Sequence, residues 1–184
     1  WKTFRRVKAK QEGSAGDHQI AYVIGADKDF LSVYDIQLLT GRNFQHENDT
    51  SAILINETAA KLLGITDVGN QVIDIPVIAR NNFFVPIYDD VNASFKPHVV
   101  GIVKDFHFQS LHDVVSPAFF MLNPKNTWNV MIRLEAGKEK ETLNALTRFY
   151  NNYNPGFTFD YMFQDVEYAK QYAAEQRVAS LSGY

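Results

Sequence analysis

The chain has no cysteine. That absence removes a disulfide framework, a thiol nucleophile and every cysteine-ligated zinc site at once. It also fits an oxidising compartment, where a free thiol is a liability. Long apolar runs are missing too. None approaches the ~20 residues that span a bilayer, and none reads as a secretory leader. The 10 glycines never form GxGxxG or GxxxxGK, so the phosphate cradles those patterns build are absent. A net charge of -3 and a pI near 5.9 give no bulk attraction to nucleic acid. There are no internal repeats and no low-complexity tracts.

What is there describes a folded chain of 184 residues, 46% hydrophobic and 21% charged, which is enough for one good core or two small lobes. The start at Trp1 rather than Met predicts a piece cut from a longer protein. Its first ten residues hold Lys2, Arg5, Arg6, Lys8 and Lys10 beside Trp1 and Phe4, a composition suited to anionic lipid headgroups or to a solvated strand end.

The stretch Val99–Pro117 organises the rest. Val100, Ile102, Phe106 and Phe108 share one parity, which predicts a strand with one apolar face. Gly101 inside it predicts a bulge or a close backbone approach. Asp105, His107, Ser110 and His112 crowd this stretch, the only place where the chain looks chemical. A Ser110-His107-Asp105 catalyst is disfavoured. Residues 105 and 107 of one strand point the same way, and no glycine elbow surrounds the serine. His107 and His112 have neither strand nor helix spacing for a shared metal. Asp89-Asp90 with Asn92 lacks the glycine and distant glutamate of a calcium loop. No carboxylate pair stands out among 21 acidic residues.

Elsewhere the pattern alternates between strand and helix. Residues 18–25 read as a strand. Asp29 is placed to cap a short helix carrying Phe30, Leu31, Val33 and Tyr34. Gly41 is suited to a turn with positive φ. Ser51–Ile55 predicts a buried strand, followed by Asn56 as N-cap, Glu57 and Lys61 four apart, and Gly64 as the stop. Residues 72–80, 83–88, 97–108 and 118–122 predict strands within a β-rich stretch from 66 to 126. Residues 129–134 predict another strand. Leu143, Leu146, Phe149 and Tyr150 give an amphipathic helix over 139–150. Asn154-Pro155-Gly156 ends it, Phe157, Phe159 and Tyr161 alternate as a strand, and Asp165 opens a last helix. This order predicts an α+β fold, a ferredoxin-like mixed α/β lobe interrupted by a small β-rich lobe.

Several short pieces then line up in order. They are Asp29-Phe30-Leu31 with Leu39-Thr40-Gly41-Arg42-Asn43-Phe44; Ile53-Leu54-Ile55-Asn56-Glu57-Thr58-Ala59 with Leu63-Gly64; Val68-Gly69-Asn70-Gln71-Val72; Val100-Gly101-Ile102-Val103-Lys104-Asp105-Phe106-His107-Phe108 with Ser110-Leu111-His112; and Phe163-Gln164-Asp165 with Tyr172, Glu175, Gln176 and Arg177. Together they resemble the MacB-like periplasmic core domain of FtsX-like ABC-transporter permeases.

The resemblance implies a lobe built from both chain ends, residues 1–67 and 127–184, with a β-rich lobe inserted at 68–126. It implies transmembrane helices flanking both ends, which then lie side by side at the periplasmic face of a bacterial inner membrane. It implies no catalytic residue, metal or cofactor in this domain, with ATP on a separate cytoplasmic subunit or domain. A second permease protomer and a periplasmic adaptor or outer-membrane partner are the implied partners. The positions carrying the family signature, structural or coupling in role, are Gly41, Arg42, Asn56, Glu57, Gly64, Gly69, Gly101, Lys104, Asp105, Phe106, His107, Asp165, Tyr172, Glu175 and Arg177. A ligand- or protein-binding module and a hydrolase using the His107 region are the alternatives. No apolar stripe is left over once the core is assigned, which predicts a monomer in isolation.

Overall fold

The computed structural model describes residues 4–46, 49–76, 94–108, 113–122, 130–164 and 166. The chain divides into two compact units, Trp1–Arg133 and Leu134–Tyr184.

The first unit is a mixed sheet. Its strands are β1 (Phe4–Gln11), β2 (Gln19–Ala26), β3 (Leu38–Gly41), β4 (Ala52–Asn56), β5 (Ile73–Pro76), β6 (Ser94–Phe95), β7 (His98–Val103) and β8 (Ala118–Leu122). Their spatial order is β3-β7-β4-β8-β2-β1-β5-β6. The β4–β7 and β2–β8 pairs run parallel and the other five antiparallel. Two short helices, α1 (Phe30–Tyr34) and α2 (Glu57–Leu63), accompany the sheet.

The sheet is apolar on both faces at its centre, which is why β4 and β8 read as unbroken hydrophobic runs rather than alternating ones. Ile53 and Ile55 of β4 pack with Ala59, Ala60 and Leu63 of α2, with Phe119 and with Val99. Ala52 and Leu54, on the other face, pack with Phe30 and Leu31 of α1, Phe108 and Phe120. The stretch 68–126, expected as an inserted lobe, does not stand apart within the described residues. Its strands β7 and β8 flank β4 in the middle of this sheet, so that stretch supplies central strands of the main body. Hydrogen bonding to β4 on both sides fixes them there. Residues 83–88, another expected strand, lie outside the described residues.

Three local expectations resolve differently from one another. The β4–α2 junction forms as read: the Asn56 side chain accepts from Ala59 N, and Gly64 ends the helix at φ 70°. Asp29 does not cap α1 with its side chain. Its own N–H is taken by Asp27 Oδ1 at 3.0 Å, and its carboxylate lies 3.6 Å from Lys28 Nζ instead. The strand expected to continue to Phe108 stops at Val103, because the next amide but one is claimed by a side chain from α2.

In the second unit α3 spans Glu139–Tyr153. Leu143, Leu146 and Tyr150 are half-buried and Phe149 is 61% exposed. Residues 130–134 and 157–161 carry no strand, contrary to the alternation. Ring contacts take the place of a ladder in the second segment: Tyr150–Phe159 at 5.4 Å, Phe159–Tyr161 at 5.6 Å and Tyr161–Phe163 at 5.7 Å. Alternation supplies an apolar face, and a strand also needs a hydrogen-bonding neighbour. Among the described residues, no helix is long and apolar enough to cross a membrane.

Candidate functional site

The signature residues gather at two places on the first unit. The first is the start of α2. Asn56 closes β4 and is 1% exposed, so each of its polar atoms needs a partner. Its Oδ1 accepts from Ala59 N at 3.0 Å and from Ala118 N at 2.9 Å, while its Nδ2 donates to Ser116 O at 3.0 Å. One amide side chain therefore caps α2 and ties it to the entry of β8.

Asp105 caps the same helix from across the fold. Its Oδ1 accepts from Thr58 N at 3.0 Å and its Oδ2 from Thr58 Oγ1 at 2.7 Å. Glu57 Oε2 in turn accepts from Asp105 N at 3.0 Å. An acidic group beside the first turn complements the exposed amides and dipole of a helix start. The reciprocal bonds fasten residues 104–108 to α2, and this is what ends β7.

Beyond that latch Phe106 and Phe108 turn inward. Phe106 lies 6.4 Å from Phe30, 5.9 Å from Phe108 and 5.6 Å from Phe120, ring centre to ring centre. Lys104 and His107 are exposed. The cleft beside them, lined by Phe106, His107, Phe108 and Asp113–Ser116, measures about 10 Å³, room for about one water. Asp105 is committed to Thr58, so its carboxylate holds a backbone in place. Ser110 and His112 lie outside the described residues. Among the described residues, no three His, Asp or Glu side chains converge to hold a metal ion.

The second place is the β3–β7 edge. Gly41 has φ 81°, and a Cβ there would overlap the Val100 carbonyl oxygen and come within 2.8 Å of Gly101 Cα. A Cβ on Gly101 would lie 2.6 Å from Arg42 O and 2.8 Å from Leu54 Cδ2. The two glycines are register partners, and beside them the β4–β7 ladder shifts by one residue between Ile53 and Leu54. Both the bulge and the close approach expected at Gly101 are present. Arg42 N then donates to Val100 O at 2.8 Å. Its guanidinium grips Asp49 through two bonds, Nη1–Oδ2 at 2.6 Å and Nη2–Oδ1 at 3.3 Å.

That grip lowers the Asp49 carboxyl below its ordinary value, chiefly through the hydrogen bond from Arg42 and with help from Gln45 N. A depressed carboxyl stabilises the fold above the unfolded value, ~3.9, and loses that contribution as pH falls through the lower folded value. Asp49→Asn should therefore cost about 1 kcal/mol at neutral pH and flatten the acid limb of stability below pH ~4, read from urea midpoints against pH. An unchanged acid limb would contradict the assignment.

Gly69 sits with Gly41, Arg42, Val68, Val99 and Val100 around a groove of about 290 Å³. Its φ of 143° and the open space around its Cα place it in a turn rather than at a close approach. Asp165, Tyr172, Glu175 and Arg177 lie outside the described residues. Thr58 and Asp49 carry roles the sequence does not announce. Thr58 sits second in a capped helix, and Asp49 follows seven residues after Arg42 with no periodic pattern linking them.

A search of curated protein sequences gives no significant match. The fold is shared with solved structures. The periplasmic region of MacB from Actinobacillus actinomycetemcomitans aligns with TM-score 0.51 and 12% identity, over 82% of this chain and 64% of that one. A domain of a protein from Porphyromonas gingivalis classed as a permease aligns with TM-score 0.55 and 15% identity, over 89% of this chain and 77% of that one. The chain thus spans somewhat under two thirds of the MacB periplasmic region. The family model for the MacB-like periplasmic core domain matches residues 3–148, which takes in β1 through most of α3 with both signature clusters, and the chain belongs to that family.

Proposed function

We propose that this chain is the extracytoplasmic domain of an ABC-transporter permease subunit, carrying ATP-driven movement across the membrane for export, lipoprotein release or activation of a partner. The observation that carries the reading is the family match over residues 3–148. Transmembrane helices would flank both ends, ATP would be bound by a separate cytoplasmic subunit or domain, and a second permease protomer would complete the machine. The domain would bind no cofactor and catalyse no reaction of its own.

The chemistry of the signature residues supports a mechanical role. Asn56, Glu57 and Asp105 spend their polar groups on other parts of the same fold, so a push on residues 104–108 reaches α2, β4 and β8 without slack. Within this reading Gly41, Arg42, Gly64, Gly69 and Gly101 shape the backbone, and Lys104, Phe106 and His107 belong to the latched segment. The binding-module alternative would use the groove at Gly41 and Val100, but its one charged lining group, Arg42, is already engaged by Asp49.

The absence of cysteine makes the test direct. In the full permease, with any cysteines elsewhere replaced, Lys61→Cys and Asn144→Cys should each react in intact cells with a maleimide that does not cross the inner membrane. Protection until the membrane is broken would refute the placement.

A further inference from the structure

The solvent side of β1 carries positive charge that its own fold does not neutralise. Val7 and Ala9 point into the core, 9% and 0% exposed, so the alternate residues Arg6, Lys8 and Lys10 share the opposite face. Arg6 and Lys8 are exposed and Lys10 is half-buried. Across the ladder Arg6 stands opposite Tyr22 and Lys8 opposite Ile20. Ile20 is 56% exposed, an apolar side chain set among cations. Arg6 donates to the Tyr22 hydroxyl at 3.1 Å, and its guanidinium lies 5.7 Å from that ring, which holds it against the strand.

The acidic groups nearby are few. Asp74 is the register partner of Lys10 and lies 3.5 Å from His18 Nε2. Glu12 is paired with Lys96 at 2.6 Å. Asp17 is in the turn between β1 and β2. Among the described residues neither Lys8 nor Lys10 has an ion-pair partner.

We propose that this face of β1 and β2 rests on anionic lipid headgroups. The inference depends on the reading above that transmembrane helices flank this domain, and it adds an orientation to that reading. A strand rises ~3.4 Å per residue, so Arg6 to Lys10 covers ~14 Å. Charges act on a headgroup layer only within a Debye length, ~8 Å at physiological salt. A strand standing upright on the bilayer would leave Lys10 out of range. A strand lying along the surface brings all three cations to the headgroups and turns Ile20 toward the acyl boundary. Anionic lipid fits better than an acidic protein because the stripe pairs charge with an exposed apolar side chain, Ile20, the combination that surface-lying elements use.

The test is sedimentation of the 184-residue chain with phosphatidylcholine vesicles, with and without phosphatidylglycerol, at low and physiological salt. Binding to the anionic vesicles alone, weakened by salt, is expected. Each cation near such a surface contributes about fivefold, so Arg6→Gln, Lys8→Gln and Lys10→Gln together should weaken binding about a hundredfold. Lys8→Gln alone, at an exposed position with no partner, should cost about fivefold and leave the urea midpoint unchanged, which separates lost binding from lost folding. No vesicle binding, equal binding to neutral vesicles, an unaffected triple variant, or binding to an acidic peptide without binding to vesicles would each overturn the proposal. The maleimide test does not depend on this face, so it can succeed while the vesicle test fails.

Discussion

Asn56→Ala is expected to cost about 3–5 kcal/mol, seen as a fall in the urea midpoint with little change in slope. Removing the side chain strips the cap from Ala59 N and strands the Ala118 amide and the Ser116 carbonyl inside the fold. Loss of an N-cap alone is worth ~1 kcal/mol, and each buried polar group left without a partner adds ~1–3. Asn56→Ser separates these contributions. A serine oxygen can still cap the helix but is too short to serve β8, so the loss should be smaller only by the cap's share, about 1 kcal/mol. Equal effects of the two substitutions would mean that the cap on Ala59 N contributes little and that the ties to Ser116 and Ala118 carry the whole loss.

Gly41→Ala should be nearly as damaging, about 3 kcal/mol or more, for two separable reasons. The φ of 81° lies in the left-handed region, which costs an ordinary residue ~1–2 kcal/mol. The new methyl would also drive into the backbone of β7 at Val100 and Gly101, which cannot swing aside as a side chain does. Gly64→Ala isolates the first cause, since φ is 70° there with open space around it, and should cost about 1–2 kcal/mol. Gly101→Ala isolates the second, because it has the collision without the unusual φ. If Gly64→Ala matched Gly41→Ala, the close approach of β3 to β7 would not be what Gly41 is for.

The parts of the fold legible in the sequence were those governed by neighbours a few residues away. Asn56, Glu57, Lys61 and Gly64 announce a capped helix because capping and stop rules act within a turn or two. Gly41 and Gly101 announce backbone constraints because only glycine tolerates them without strain or collision. The end of β7 was not legible. Alternation runs from Val99 to Phe108, broken only by Lys104, and the strand stops because a carboxylate 48 residues earlier in the chain takes the Asp105 amide.

The same limit applies to the site. Asp105 and His107 attract notice because they crowd one short stretch with Ser110 and His112. Latched by Thr58 and Glu57, Asp105 becomes a cap and His107 an exposed neighbour. Alternation at 157–161 misled for the converse reason, since an apolar face without a hydrogen-bonding neighbour settles into stacked rings. The family resemblance rested on short pieces in order, and the structure shows two sets of them meeting in space: Asn56, Glu57 and Asp105 around α2, and Gly41, Arg42 and Gly101 along the β3–β7 edge.

The most direct measurement of the proposed function is a distance between protomers in the full permease with its ATPase, reconstituted in lipid. A spin label on Lys61→Cys, an exposed position of α2 in a cysteine-free domain, would report the separation of the two copies by pulsed electron resonance. Transmission of ATP-driven movement predicts one distance distribution without nucleotide and a shifted one when the ATPase is trapped with ATP. It also predicts that the shift is lost when Asp105→Ala unfastens residues 104–108 from α2 in a protein that still folds. Identical distributions with and without ATP in the unaltered domain would contradict it.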